Sequence, residues 1–390
     1  MKKALFVVDR NPFPARNGVT IPVSNYIRIC REIGLEVTIL LARKKAARWP
    51  LIGFLWEILL ECVGVRPAFS LTLRNSDLER IEGPEIQDSV FDLVVCSPIT
   101  VCELGSELSF KQVRTSNRKP LMVAGVSDSY AVVLRKFSKS PSIAFFSRVI
   151  AFFRSYIVAK HETEILRGYD SIICQTDRDV ANFSRYLRNP DRLIQLSNGV
   201  NEQLFSLKQE FNNCFVYVAD LRSRQSQERI LWLWRAVWLN VVLERKVLHI
   251  FTSGLPLPPY LNEMRSDATV IFHEDFASSV LDIYRGMAFS LAPIFQEYGF
   301  INKVAEALAA GCVVIGDRTA FNGIDFPERE MCIANTETEW LALVNRFNRD
   351  RQYYEVVRNA STEYARRTLS WKRHKKYFSS LIDQNGPDQR

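Results

Sequence analysis

The feature that most constrains this chain is a repeated unit: a short apolar strand that ends in a polar or glycine-containing loop. Ala4–Val8 runs into the loop Arg10-Asn-Pro-Phe-Pro-Ala-Arg-Asn-Gly18, a helix is expected from about Ile21 to Glu32, Gly34 stops it, and Glu36–Leu41 is the next strand. The pattern recurs at Phe91–Cys96, Leu121–Gly125, Ser171–Gln175 and Leu193–Leu196. A polar stretch, Phe205–Asn213, reads as a linker. The pattern then restarts with Phe215–Ala219, Val247–Thr252, Thr269–Phe272, Phe289–Pro293, Cys312–Ile315 and a last strand at Ile333-Ala334. Strands alternating with helices imply a parallel sheet covered on its faces. A chain of 390 residues exceeds one typical core. The expected fold class is therefore α/β, with two doubly wound domains at residues 1–203 and 204–365 and a C-terminal helix, 366–390, that could cross back to the first. In such sheets ligands sit beyond the carboxyl ends of the strands.

One such end stands out. In Ala292-Pro-Ile-Phe-Gln-Glu-Tyr-Gly-Phe-Ile-Asn-Lys-Val-Ala-Glu-Ala-Leu-Ala-Ala-Gly-Cys-Val-Val-Ile-Gly316, Gly299 permits a close backbone approach just before a short helix begins. A helix start offers unpaired N–H groups and a positive dipole end, which suits a phosphate. Lys303 adds a cation in the first turn, and Glu306 could accept hydrogen bonds from sugar or ribose hydroxyls. Gly311 ends the helix. The alternative is an ordinary surface turn with an exposed Glu and Lys.

Other strand ends carry Asn17-Gly18, Ser97-Pro98, Asp128-Ser129, Ser197-Asn-Gly-Val-Asn201, Asp220-Leu-Arg-Ser-Arg224 and Ser253-Gly254. Ser142–Arg167 reads as one long helix with Phe145, Phe146, Phe152, Phe153, Tyr156 and Ile157 on broad apolar faces, for which core packing is the default and lipid contact the alternative. A helix over Gln227–Val242 carries Trp232, Trp234 and Trp238, while Arg66–Gln87 is polar and irregular. The tail, Trp371-Lys-Arg-His-Lys-Lys-Tyr-Phe-Ser-Ser-Leu-Ile, is a basic amphipathic helix.

Charge is unevenly spread. Met1 to Gln203 holds 28 Lys and Arg against 21 Asp and Glu, whereas the remainder holds 23 against 22. A basic first half suits an anionic partner. No nucleic-acid module is recognisable, so an anionic membrane surface is expected. Arg43, Lys44, Lys45 and Arg48 precede an aromatic stretch suited to a monotopic contact; a helix packed on the sheet is the alternative. The apolar runs Trp49–Val65 and Ile143–Ala159 are interrupted by charges and should not span a bilayer. The basic start runs into an apolar stretch that ends at Asp9, which reads as a first strand rather than a signal peptide. Eight scattered Cys without paired spacing suggest free thiols in a reducing cytoplasm, and four scattered His argue against a structural zinc site.

Two α/β domains in tandem, with a glycine-containing loop after the first strand, resemble the GT-B glycosyltransferases, in particular the family-four (group 1) retaining enzymes. The Pro12–Gly18 loop resembles their acceptor-side loop. Leu196-Ser-Asn-Gly-Val-Asn-Glu-Gln-Leu-Phe205 resembles their "PNGVD…F" hinge, Phe215-Val-Tyr-Val-Ala-Asp-Leu221 their "FVGxL" strand, and Gly299–Gly311 a "GxxNKVxEAxAxG" branch. The resemblance implies a cleft between the two domains. It also implies a nucleotide sugar in the second, held by Arg222, Arg224, Gly254, Gly299, Asn302, Lys303 and Glu306, with a glycan or lipid-linked acceptor in the first near Asn17, Gly18, Asp128 and Ser129. Transfer would retain configuration and need no cofactor or metal. Asp128, Glu297 and Glu306 would be the catalytic group, with Glu306 holding the ribose.

Some positions depart from that pattern. The first Glu of the family's E-x7-E motif should fall at Tyr298, and Glu297 lies one residue early. The usual "GRxxxxKG" reads Ala219-Asp-Leu-Arg-Ser-Arg-Gln-Ser226, so its cations are displaced. The expected role is sugar transfer in polysaccharide or lipopolysaccharide synthesis at the cytoplasmic face of the inner membrane. A GT-B epimerase or hydrolase, or a degenerate transferase acting as a partner subunit, are the alternatives.

Overall fold

A computed structural model describes residues 1–15, 18–45, 70–86, 89–126, 129–139, 144–253, 257–273, 279–295 and 299–384. The chain forms two compact units, Met1–Ser197 with Lys372–Arg390, and Asn198–Trp371.

The first unit is built on a seven-stranded sheet in the order β3-β2-β1-β4-β5-β6-β7. Its strands are β1 (Lys3–Val8), β2 (Glu36–Lys44), β3 (Ser76–Glu82), β4 (Leu93–Ser97), β5 (Leu121–Val126), β6 (Ser171–Cys174) and β7 (Leu193–Gln195). All pairs are parallel except β2 with β3. Its helices are α1 (Thr20–Glu32), α2 (Cys102–Ser116), α3 (Tyr130–Phe137), α4 (Phe145–Leu166) and α5 (Asp177–Ser184). The central strands are almost wholly apolar, with Lys3, Ser97 and Ser171 at their ends, and are buried on both faces apart from Lys3, as parallel sheets require. β3 lies in the stretch expected to be irregular. Its residues Ser-Asp-Leu-Glu-Arg-Ile-Glu are mostly exposed, so it shows no apolar alternation; backbone pairing at the sheet edge makes it a strand.

The second unit carries a five-stranded parallel sheet in the order β10-β9-β8-β11-β12. These are β8 (Cys214–Asp220), β9 (Val247–Ser253), β10 (Val270–His273), β11 (Phe289–Ala292) and β12 (Val313–Gly316); the expected strand at Ile333 makes a single parallel bridge to Gly316. Its helices are α6 (Arg224–Trp232), α7 (Asn262–Arg265), α8 (Val280–Tyr284), α9 (Asn302–Ala309), α10 (Glu337–Arg349) and α11 (Arg351–Thr368). The expected Gln227–Val242 helix changes pitch midway. α6 gives way to a π turn at Leu233–Val237 and a 3-10 turn at Trp238–Asn240. Trp234 and Trp238 are buried there and donate their indole N–H groups to Asp267 and Thr269, each at 2.9 Å.

The stretch Phe205–Asn213, expected as a linker, is packed into the second unit. Buried Gln209 donates to the carbonyls of Tyr284 and Ala310, and Phe211 stacks edge-on with Phe289 and Tyr354. The chain divides instead at Ser197/Asn198. The last helix, α12 (Lys372–Gln384), belongs to the first unit, where Tyr26 meets His374 and Phe378, and Lys375 pairs with Glu32 at 3.1 Å.

α4 departs most from expectation. Ala151, Ser155, Val158, Ala159 and Glu162 are buried, while Phe145, Phe146, Ile150, Phe152, Phe153 and Tyr156 are exposed. The small residues take the packed side and the aromatics the open one, so the stripe expected in the core faces outward. Seven cysteines among the described residues are unpaired. Among the described residues no helix is long and apolar enough to cross a membrane.

Candidate functional site

In both sheets the strand order reverses beside the first strand of the unit. In the second unit this switch point falls between β8 and β11, and the crevice beyond their carboxyl ends is where ligands bind in such folds. The chain leaves β11 through Ala292-Pro-Ile-Phe295, with Phe295 at φ +51°. Asp317, at the end of β12, secures that exit. Its Oδ1 accepts from the backbone N–H of Ile294 at 2.5 Å and of Phe295 at 3.0 Å, and its Oδ2 accepts from the backbone and hydroxyl of Thr319. Asp317 is buried, so these donors replace the water that it lost on folding.

Gly299 follows at φ +84°, a backbone region costly for residues with a Cβ, and its carbonyl accepts from Asn322 at 3.0 Å. α9 starts three residues later. Its inner face is Val304, Ala305, Ala307, Leu308 and Ala309, all buried. Small residues continue below it: a Cβ on Gly316 would lie 2.7 Å from the Ala320 side chain. Burying Val304 and Leu308 stabilises the helix by roughly 1.5–3 kcal/mol each. Asn302, Lys303 and Glu306 lie on its partly exposed side.

Two buried residues fix that side. Asn198, fully buried, donates its side-chain amide to Asn302 Oδ1 at 3.0 Å. Tyr284, also fully buried, donates its hydroxyl to the Lys303 carbonyl at 2.9 Å. Burial pushes the Glu306 carboxyl up to about 7, and hydrogen bonding with Tyr284 opposes the shift. A carboxyl in that range can both accept and donate to a hydroxyl near neutral pH.

Arg222 follows β8 and Arg224 opens α6, so both sit beyond the β8 end of the crevice. Arg222 is bound to Asp220 at 2.8 Å and Arg224 to Glu228 at 2.8 Å, and all four side chains are exposed. Exposed pairs of this kind are screened by water and contribute little, so an incoming anion can recruit either guanidinium. Gly254 and Glu297 lie outside the described residues.

In the first unit, Gly18 lines a narrow pocket with Pro22, Tyr26, Ser97 and Gly125, at the carboxyl ends of β4 and β5. A Cβ on Gly125 would stand 3.0 Å from Ser97 Oγ, tighter than ordinary side-chain contact. Ser129 caps α3, accepting from the Val132 N–H, and its hydroxyl donates to buried Glu162 at 2.7 Å. The other Glu162 oxygen accepts from the Tyr130 N–H at 2.6 Å. Burial pushes the Glu162 carboxyl up to about 7, against the lowering pull of those bonds. Asn17 and Asp128 lie outside the described residues, as do Arg48 and Trp49–Val65 of the basic aromatic stretch.

The structure thus brings Gly299, Asn302, Lys303 and Glu306 onto one helix start, and Gly18 to the strand ends of the first unit. Three residues carried no assigned role in the sequence, Tyr284, Glu162 and Asp317, and Asn198 was read only as part of the hinge-like loop. Tyr284, Asn198 and Glu162 act across long sequence separations and carry no local signal for these contacts. Asp317 had one: an Asp after a strand with Thr two residues on is an N-cap pattern.

Residues 212–346 match the family described as Glycosyl transferases group 1. No curated protein matches the sequence. Among solved structures, HepE from Anabaena, crystallised with UDP and glucose, superposes with a TM-score of 0.59 at 11% identity, covering 98% of this chain and 100% of that one. Sucrose-phosphate synthase from Thermosynechococcus elongatus gives 0.63 at 12% identity, covering 98% and 99%. The lipopolysaccharide outer core galactosyltransferase WaaB in its apo form gives 0.57 at 13%, covering 99% and 100%. The likeness extends over the whole chain and establishes the GT-B fold, with its two Rossmann-like domains.

Proposed function

We propose, for a GT-B chain with a group 1 glycosyl transferase domain at residues 212–346, that it moves a sugar from a nucleotide-sugar donor to a glycan or lipid-linked acceptor. The observation that carries this reading is the start of α9, with Gly299 at positive φ, Asn302 and Lys303 in the first turn and Glu306 raised to about 7. The helix N–H groups and Lys303 receive the diphosphate, whose charge grows as its bond to the sugar breaks. Arg222 or Arg224 leaves its surface carboxylate to join them. Glu306 holds the ribose hydroxyls, and Glu297 supplies the contact displaced from the family's pattern. Transfer retains configuration and needs no metal. Asn17, Gly18, Asp128 and Ser129 form the acceptor side, with Asp128 close to the transferred sugar.

HepE, captured with UDP and glucose, supports a uridine nucleotide as the first donor to test, and WaaB supports an acceptor of the lipopolysaccharide or polysaccharide kind. The basic first half supports work at the cytoplasmic face of the inner membrane. The test is a thermal-shift screen of nucleoside diphosphates and their sugars, because a ligand that binds the native state raises its melting temperature. A shift with UDP or another diphosphate is expected. No shift with any of them would leave a non-catalytic partner subunit as the better reading. Turnover of the binding donor without acceptor, equal to that with acceptor, would point to an epimerase or hydrolase.

A further inference from the structure

We propose that the outward face of α4, with the cations that flank it, is the surface by which this chain docks on an anionic lipid bilayer. The inference rests on the membrane reading above and assigns it a location. A helix at the surface of a soluble protein ordinarily turns its apolar side inward. α4 does the reverse over its first three turns. Phe146 is 80% exposed and Phe153 63%, and Phe145, Ile150, Phe152 and Tyr156 share their side, while Ala151, Ser155, Val158 and Ala159 hold the helix to the protein. The rings touch one another, Phe152 with Phe153 at 5.6 Å and with Tyr156 at 5.2 Å, and make a continuous apolar ridge about 16 Å long.

Along the stretch of chain that bears the ridge every charge is positive, and the first acid exposed beyond it is Glu164, one turn after Lys160. From Ser129 to Lys160 the sequence holds Arg135, Lys136, Lys139, Arg148, Arg154 and Lys160, and no Asp or Glu. Arg135 lies over the Tyr156 ring at 5.0 Å, and Arg148 donates to the Ser138 carbonyl at 3.0 Å, so cations are fixed at its border. Protein interfaces deplete Lys and balance their charges. Exposed aromatics on a stretch whose charges are all cations fit an apolar bilayer interior beneath anionic headgroups. The described residues hold no helix able to cross a membrane, so α4 lies along the surface. Glu162, near the other end of α4, holds the start of α3 through Ser129 and Tyr130, which ties this face to the loop where the acceptor residues are expected.

The test is co-sedimentation of the full chain with phosphatidylcholine vesicles, with and without a quarter of phosphatidylglycerol, alongside the double variant Phe146→Ser/Phe153→Ser and the charge variant Lys139→Glu/Lys160→Glu. The wild type is expected on the anionic vesicles only. Each variant should lose about tenfold or more in binding, with melting temperature and nucleotide-induced shift unchanged. The altered side chains are exposed, so both variants should fold, and the charge variant tests the surface independently of the aromatics. Wild type and both variants binding alike would overturn this surface and leave the membrane reading standing. A wild type that binds no vesicle overturns both. If light scattering instead shows a wild-type dimer that the Phe variant abolishes, the face is a contact between copies of this chain. In every case the nucleotide shift reports separately on the donor reading.

Discussion

Trp371 lies flat against Gly199, so close that a Cβ on residue 199 would stand 2.5 Å from the indole ring. Both belong to the second unit, where Val200 also donates its N–H to the Leu369 carbonyl at 2.8 Å. The Asn-Gly pair read in the sequence as part of a hinge-like loop is a seat for an aromatic ring. Gly199→Ala is expected to cost about 1–3 kcal/mol through overpacking, read as a lowered melting temperature. Adding Trp371→Leu should recover part of that loss. If the two costs simply add, the contact does not govern this region.

Glu162 and Glu306 are both raised from the ordinary 4.5 to about 7. The folded chain therefore holds protons that the unfolded chain has released. By linkage, its stability falls as pH rises between those values. Glu162→Gln fixes an uncharged side chain that still accepts from the Tyr130 N–H. Melting temperatures compared at about pH 5 and about pH 8 should show a smaller fall for the variant than for the wild type. An equally steep fall would rule Glu162 out as a source of the pH dependence.

Asp317→Ala removes the acceptor for the Ile294 and Phe295 N–H groups and for Thr319. Buried donors left without a partner cost about 1–3 kcal/mol each. A loss of at least that size is expected in chemical unfolding, with faster hydrogen exchange at Phe295. Asp317→Asn keeps one acceptor and should fall between the two. Retained exchange protection in the Ala variant would mean that the exit from β11 is held by something else.

Glu306→Ala should abolish transfer and lower the nucleotide-sugar thermal shift while leaving the fold intact, because the side chain is half-buried and lies off the apolar inner face of α9. Losing a contact that positions the donor misplaces the bond to be broken, which costs about a hundredfold in turnover. Tyr284→Phe removes the single hydroxyl proton for which the Lys303 carbonyl and Glu306 compete. It should reduce turnover less and shift its pH profile upward, since Tyr284 lowers the Glu306 carboxyl against its burial. Near-normal turnover in Glu306→Ala would remove Glu306 from the site.

The sequence by itself determined what depends on local pattern. Short apolar strands bounded by turn residues specified two parallel sheets, and Gly299, the α9 helix and Gly311 were legible because a helix start and its glycine stop lie next to one another in the chain. Tertiary structure decided whatever joins distant positions. β3 became a strand only by pairing with β2, since its polar residues carry no period of their own. Phe205–Asn213 is polar in sequence yet is held in the second unit by Gln209 and Phe211, whose partners lie far along the chain. The site followed the same division. Lys303 and Glu306 were visible as neighbours on one turn, but Tyr284 and Asn198, which fix that turn, were not. The apolar face of α4 marks the limit most plainly: hydrophobicity alone assigned its Phe residues to a core, and only the packing of Ala151, Ser155 and Val158 on the opposite side turned them outward.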